Sequence, residues 1–305
     1  MSQPRRVDPL PFGGADGLPY SKGVMARALI ATGVSAVRAY DLALQVERDL
    51  RNRGATSVGL DRLNEIAAEV LGEADGRRAV DMLRRYAELR ALDLPILVLV
   101  GGATGTGKST VATEVAHRLG ITRVTSTDFI RQTMRALFSP EFLPSVHYSS
   151  FEAGEALPAA EKEAGDALLL GFMDQTRHVL VGVQASVDRA LEEGWSMVLE
   201  GIHLVPGMMT RPIRGALVVH VVIAIEDENV HEQHFAIRDA ATLGVRPHDK
   251  YLERISDIRH IQDFILDEAD RSGVPVIQNG SIEQAIGAVI ELVLERAAAL
   301  EHAPA

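Results

Sequence analysis

The sequence predicts an α/β protein: a parallel β-sheet flanked by helices, preceded by a small all-helical domain. Three observations carry this expectation. The first is a change of texture near residue 93, from helical periodicity alone to an alternation of strands and helices. The second is the run Pro95-Ile-Leu-Val-Leu-Val100, apolar throughout, as a strand covered on both faces must be. The third is the octet that follows at once, Gly102-Ala103-Thr104-Gly105-Thr106-Gly107-Lys108-Ser109, which fits G-x-x-x-x-G-K-[ST] at every fixed position.

Two domains follow, residues 1–92 and 93–305. In the first, apolar residues recur at helical spacing over 21–32, 34–53, 60–71 and 75–92, with Gly54 and Gly72 as stops. In the second, strands are expected at 95–100, 122–126, 195–199, 216–225 and 274–277. Between them lie a helix at 109–119 and a long helical region at 128–193, broken near Ser139-Pro140 and Pro144. A charged helical stretch at 227–271 and a closing helix at 282–300 complete the pattern.

Composition narrows the classes. The chain of 305 residues has no cysteine, which excludes disulfides, thiolate nucleophiles and cysteine metal sites. Its net charge of −11 argues against nonspecific contact with nucleic acid or an anionic membrane. No apolar stretch approaches the ~18 residues needed to cross a bilayer, and the N-terminus lacks the apolar core of a signal peptide. A cytoplasmic protein is the expectation, with a homo-oligomer left open.

The glycine-rich octet carries the chemistry. Such a loop, between a buried strand and a helix, turns successive backbone N–H groups onto a phosphate chain. The expected fold is therefore a P-loop NTPase sheet with ATP and Mg²⁺ as its small-molecule requirements. Gly102, Thr104, Gly105, Thr106, Gly107, Lys108, Ser109 and Thr110 would form the nucleotide site. Lys108 reaches the β- and γ-phosphates, and the Ser109 hydroxyl ligates the metal.

Ligands of a parallel sheet sit beyond the carboxyl ends of its strands. After 122–126 comes Asp128, with Arg131 and Arg135 on one helical stripe. Asp128 either caps that helix or takes a proton from an acceptor hydroxyl, and the arginines either stay solvated or clamp an anionic acceptor. The functional reading is preferred because this strand end faces the transferred phosphate. After 195–199 come Glu200, as the acid that holds Mg²⁺ through water or a strand-end acid bound to backbone, and His203, as a substrate contact or a packed neutral imidazole. Between His231 and Arg259 lie His234, Arg238, Arg246, Lys250, Arg254 and Arg259 among acids. Arg238 is the candidate that closes over the reacting phosphate, and Arg246 the one that touches substrate; charge patterning alone fits a salt-bridged surface helix. Asn279, after the last strand, either lines the adenine pocket or serves a turn.

Five segments resemble the 2-phosphoglycerate kinase family: Gly-Gly-Ala-Thr-Gly-Thr-Gly-Lys-Ser-Thr at 101–110, Thr-Asp-Phe-Ile-Arg-Gln-Thr-Met-Arg at 127–135, Leu-Pro-Ser-Val-His-Tyr-Ser-Ser-Phe at 143–151, Leu-Glu-Gly-Ile-His-Leu-Val-Pro-Gly at 199–207, and Lys-Tyr-Leu-Glu-Arg-Ile-Ser-Asp-Ile-Arg-His-Ile-Gln at 250–262. The resemblance implies an ATP-dependent kinase that converts 2-phosphoglycerate to 2,3-bisphosphoglycerate, with a small phosphorylated acid as its partner. The N-terminal part is similar to an ATP-cone, through Leu18-Pro-Tyr-Ser-Lys-Gly23 and helices ending at Tyr86-Ala-Glu-Leu-Arg90. It departs from that module where a basic, glycine-turned hairpin is usual, offering Val7-Asp-Pro-Leu-Pro-Phe-Gly instead. Other readings of the residues are a kinase for another small anionic or polyol acceptor and a nucleotide-switched regulator.

Overall fold

The computed structural model describes residues 20–209, 211–242 and 251–301, with backbone alone for 31, 236–242 and 301. The chain divides into two packed units. One holds residues 1–93 together with 117–119 and 291–305, the other 94–116 and 120–290. The C-terminal part of the last helix thus packs with the helical unit.

Within the helical unit, α1 (Lys22–Ala31), α2 (Ala36–Arg53), α3 (Leu60–Leu71) and α4 (Glu73–Ala91) follow the expected periodicity. Ser21 caps α1 by accepting from the Val24 N–H, and Gly54 ends α2 in the left-handed conformation. Buried Met25, Leu29, Leu42, Val46, Leu63, Ile66, Val80 and Leu83 make its core. The ATP-cone likeness of the N-terminal segment rests on Leu18 onward, and residues 1–19 lie outside the described residues.

The second unit is built on five strands, β1 (Ile96–Gly101), β2 (Val124–Ser126), β3 (Met197–Glu200), β4 (Leu217–Ala224) and β5 (Val276–Gln278). They form one sheet in the order β2-β3-β1-β4-β5. Every pairing is parallel, with Val98 beside Val198 on one side and Val219 on the other. Parallel pairing puts all five carboxyl ends on one edge, so the residues after each strand converge there. β1 is central and buried, which is why it reads as an uninterrupted apolar run.

The connections are α5 (Lys108–Leu119), α6 (Thr127–Leu137), α7 (Ala159–Ala164), α8 (Ala167–Glu192), α9 (Glu228–Thr242), α10 (Ile255–Ser272) and α11 (Ile282–Glu301). The helical region at 128–193, expected to break near Ser139-Pro140 and Pro144, is three helices with two short 3₁₀ turns, 144–147 and 153–156. Pro140 and Pro144 break it, because proline lacks the N–H a helix interior needs. Leu97, Leu99, Val179, Val183, Met197 and Leu199 pack α8 against one face of the sheet. Ile202, after β3, and Val222 of β4 share a second core cluster with Ile258, Ile261 and Ile265 of α10.

Candidate active site

The loop between β1 and α5 opens onto a cleft of about 510 Å³. Thr104, Gly105, Gly107, Lys108, Ser109 and Thr110 line one wall, with Ile282 beside them; Ser126, Asp128, Ser150, Glu200, Ile202 and His234 complete the lining. Residues separated by as much as 178 positions thus meet because their strands are parallel.

The loop wraps tightly. Gly107 has φ 82°, and a Cβ there would overlap the amide of Asn279, so only glycine closes this turn. Thr106 is fully buried and its hydroxyl donates to Ala103 O at 3.0 Å. Lys108 Nζ donates to the same carbonyl at 3.1 Å.

Glu200, at the end of β3, is almost fully buried, and its Oε2 accepts a 3.0 Å hydrogen bond from Ser109 Oγ. The two oxygens expected to face a metal therefore already face each other. Gly201 follows at φ 149°, where a Cβ would overlap the Thr127 hydroxyl. That close approach lets the turn after β3 lie against the start of α6.

Asp128 sits in the first turn of α6, whose N-cap is Ser126, not Asp128: Ser126 Oγ accepts from the Phe129 N–H. The Asp128 side chain is 58% exposed in the cleft, with Arg131 Nε at 3.6 Å from Oδ1. Arg131 is turned elsewhere. Its side chain is only 12% exposed, and Nη1 donates to the carbonyls of Val146 and Tyr148 at 3.1 and 2.8 Å. It braces the 144–148 segment and does not line the cleft. Arg135, one turn further, is exposed and also outside the lining.

His203 was left open between a substrate contact and a packed neutral imidazole, and the structure packs it inside. It is fully buried, with Nδ1 at 2.8 Å from Thr127 Oγ1 and Nε2 at 3.0 Å from Gln175 Oε1. The Gln175 amide donates to the carbonyls of Ser145 and Tyr148 at 2.6 and 3.1 Å, so its oxygen must face His203. His203 Nε2 therefore carries the proton and Nδ1 accepts from Thr127: the imidazole is neutral. Burial pushes its pKa down to about 4; the nearby Asp128 acts in the opposite direction, while Arg131 and Lys108 add to the fall.

Asn279 lies under the loop. It is nearly fully buried, and Nδ2 donates to Thr106 O at 2.8 Å. Two histidines of α9 were read from sequence only as members of a cationic stretch, and both touch the loop. His231 Nε2 is 2.7 Å from Thr104 O, and His234 Nδ1 is 3.2 Å from Gly105 O. Arg254 and Arg259 pair with Asp257 and Glu228, as a salt-bridged surface would have them. The backbone of Arg238 belongs to α9, its side chain lies outside the described residues, and Arg246 and Lys250 lie outside them entirely.

Gln175 had no place in the sequence reading. Its signal was present: it falls on the same buried stripe of α8 as Phe172, Val179 and Val183, where a polar residue demands a partner.

Proteins from several archaea share this sequence nearly end to end. The chain is 36% identical over 277 residues to the 2-phosphoglycerate kinase of Methanopyrus kandleri, covering 90% of this chain and 84% of that one. It is 37% identical over 274 residues to that of Methanothermobacter thermautotrophicus, covering 90% and 89%. The chain belongs to the 2-phosphoglycerate kinase family. A third member, from Thermococcus kodakarensis, is 35% identical over 279 residues, 92% of this chain and 94% of its own. No protein-family profile matches the chain. Among solved structures, shikimate kinase from Acinetobacter baumannii in complex with shikimate aligns over 70% of this chain and 99% of its own, at 16% identity and a TM-score of 0.40. Family membership and the cleft agree on the class of chemistry, since the segment of the chain richest in site residues, 101–135, lies within the shared sequence.

Among the described residues, no helix is long and apolar enough to cross a membrane.

Proposed function

We propose that this protein transfers the γ-phosphoryl group of ATP to the C3 hydroxyl of 2-phosphoglycerate, giving 2,3-bisphosphoglycerate and ADP. The observation that carries the reading is one cleft holding Lys108, Ser109, Glu200 and Asp128 together. The acceptor is chosen from family membership.

The transfer forms a bond from the C3 oxygen to γ-phosphorus and breaks the bond from γ-phosphorus to the β–γ bridging oxygen, with ADP leaving. The hydroxyl proton passes to the Asp128 carboxylate, which is open to the cleft. Lys108 leaves the Ala103 carbonyl and places its ammonium against the β- and γ-phosphates. The loop N–H groups hold the phosphate chain in line, so that most of the rate comes from positioning and charge.

Mg²⁺ fits the residues present. Ser109 Oγ and Glu200 Oε2 are hard oxygen donors 3.0 Å apart in the cleft, and Mg²⁺ takes few protein ligands, keeping water and phosphate oxygens. When bound, it would neutralise charge on the phosphoryl oxygens. Arg135 remains a proposed grip on the acceptor, being exposed on the α6 stripe that carries Asp128. Arg131 is proposed to act on the acceptor by holding the 144–148 segment. Arg238 and Arg246 remain proposed contacts of the reacting phosphate and the substrate.

The test is ADP release with ATP and Mg²⁺ on adding 2-phosphoglycerate, 3-phosphoglycerate or glycerate in turn. Stimulation by 2-phosphoglycerate above the other two is expected. Stimulation by a different acid would move the acceptor, and ATP binding with no stimulation by any acid would overturn the reading.

A further inference from the structure

Four successive carbonyls of the phosphate loop are each held by a group from outside the loop, and one of these, His234, also lines the cleft. Thr104 O accepts from His231 Nε2 at 2.7 Å, Gly105 O from His234 Nδ1 at 3.2 Å, and Thr106 O from Asn279 Nδ2 at 2.8 Å. Gly107 O accepts from the Val111 N–H at 3.1 Å, as the first turn of α5 requires. In a planar trans peptide the C=O and the following N–H point opposite ways. Fixing those carbonyls therefore fixes the N–H groups of Gly105, Gly107 and Lys108 toward the other side, where a phosphate chain would lie, while the Thr106 N–H makes a long 3.5 Å bond to Ala103 O.

The anchors are built to hold. His231 and Asn279 are both at most a few per cent exposed, and a carbonyl can only accept, so His231 must carry its proton on Nε2. His231 stacks on Phe235 with ring centroids 5.3 Å apart, and Phe235 stacks in turn on Tyr251 at 5.1 Å. The Phe235 ring packs directly beneath Gly105. Asn279 is fixed at its own backbone by a 2.8 Å bond from its N–H to Ala224 O. Elements distant in sequence, α9 and the end of β5, thereby grip the loop from below.

We infer that His231, His234 and Asn279 are positioning residues that preset the phosphate loop for a nucleotide before one arrives. This rests on the nucleotide part of the proposed function and not on the choice of acceptor. A loop without these anchors must spend binding free energy turning its peptide planes, so their loss weakens nucleotide binding specifically.

The experiment measures ADP and tripolyphosphate affinity by calorimetry, and KM for ATP and for the acceptor, in three variants of the full chain. His231→Phe keeps the stack on Phe235 and removes the donor. His231→Gln keeps a donor near the Nε2 position and removes the ring. Asn279→Asp keeps the shape and puts an acceptor against Thr106 O. Expected are a roughly tenfold loss of ADP and tripolyphosphate affinity in His231→Phe and Asn279→Asp, about 1.4 kcal/mol. KM for ATP rises in step, KM for the acceptor stays, and His231→Gln recovers most of the loss. Thermal unfolding of each variant shows that it is folded under assay conditions. Wild-type affinity in a folded His231→Phe overturns the inference, as does an equal loss in His231→Gln or an equal rise in both KM values. Should His231→Phe fail to fold, Asn279→Asp and His231→Gln decide it by the same criteria. Wild-type protein that binds ADP but phosphorylates none of the acids leaves this inference standing and removes only the acceptor. Wild-type protein that binds neither ADP nor tripolyphosphate overturns both.

Discussion

The two walls of the cleft are held in different ways. The phosphate wall is a turn of eight residues, three of whose carbonyls are anchored at 2.7–3.2 Å by side chains from other elements. The wall proposed for the acceptor presents an exposed carboxylate, Asp128, with its supports one layer back: Thr127, His203 and Gln175 in a buried chain, and Arg131 bracing the 144–148 segment. A phosphate chain is the same in every nucleotide, so its cradle can be rigid. An acceptor must enter, lose a proton and leave doubly phosphorylated, which suits an open group on a held frame.

The largest effect that tests this contrast is on the phosphate wall. Lys108→Ala removes the one cationic side chain of the loop, and kcat should fall roughly 10³–10⁵-fold, comparable to loss of a phosphate-facing cation. Steady-state kinetics with unchanged thermal unfolding would check it. Activity within tenfold of wild type would mean that the loop binds nucleotide without driving transfer. On the acceptor wall, Asp128→Asn keeps the shape and removes the proton acceptor. A loss of roughly 10²–10⁴ in kcat with little change in KM for ATP is expected. An unchanged kcat would leave Asp128 no chemical role.

The same contrast explains what the sequence showed. The phosphate wall is contiguous: strand, turn and helix follow one another over residues 96–119, and each announces itself by an apolar run, glycines and a helical stripe. Glu200 and Asp128 were legible for a related reason, since a parallel sheet makes every strand end a candidate position. What joins the walls to their supports was not legible. Thr106 meets Asn279 across 173 residues and Thr104 meets His231 across 127, and no local pattern encodes such a pairing. Asn279 was placed at the right strand end but given the adenine or a turn as its partner, not the loop. His203 follows the cleft residue Glu200 by three positions in sequence, yet the turn after Gly201 carries it inward.

That inward turn makes a measurable prediction about acid. His203 has its pKa lowered to about 4 against an ordinary value near 6.5, chiefly by burial. A depressed folded-state pKa means the unfolded chain takes up the proton first as pH falls. Stability from this group is therefore full above about pH 6.5 and declines down to about pH 4. The total is of the order of 3 kcal/mol at 1.36 kcal/mol per pH unit. His220 and His231 are also lowered by burial and add to the same slope. Urea unfolding at pH 7.5, 6 and 5 checks the decline, and His203→Gln should flatten part of it. An unfolding free energy equal at pH 7.5 and 5 would show that His203 is not held neutral.

The smallest expected effect separates the walls most sharply. Gln175 touches neither cleft wall, but it ties His203 to the carbonyls of Ser145 and Tyr148, and Arg131 holds Tyr148 from the other side. Gln175→Leu takes one donor from each of those carbonyls, leaving Arg131 on Tyr148 O and the Tyr148 N–H on Ser145 O, and leaves the His203 N–H without its partner, so the 144–150 segment should shift or loosen. Ser150, at its end, lines the cleft. KM for the acceptor should rise about tenfold, a cost of about 1.4 kcal/mol, while KM for ATP stays where it was. Gln175→Glu, which can keep only the acceptor half of the amide, should fall between. This pattern is the mirror image of that expected for His231→Phe, where KM for ATP moves and the acceptor's does not. If both variants instead raised both KM values together, the two walls would be one mechanical body, and the division of labour between them would have to be given up.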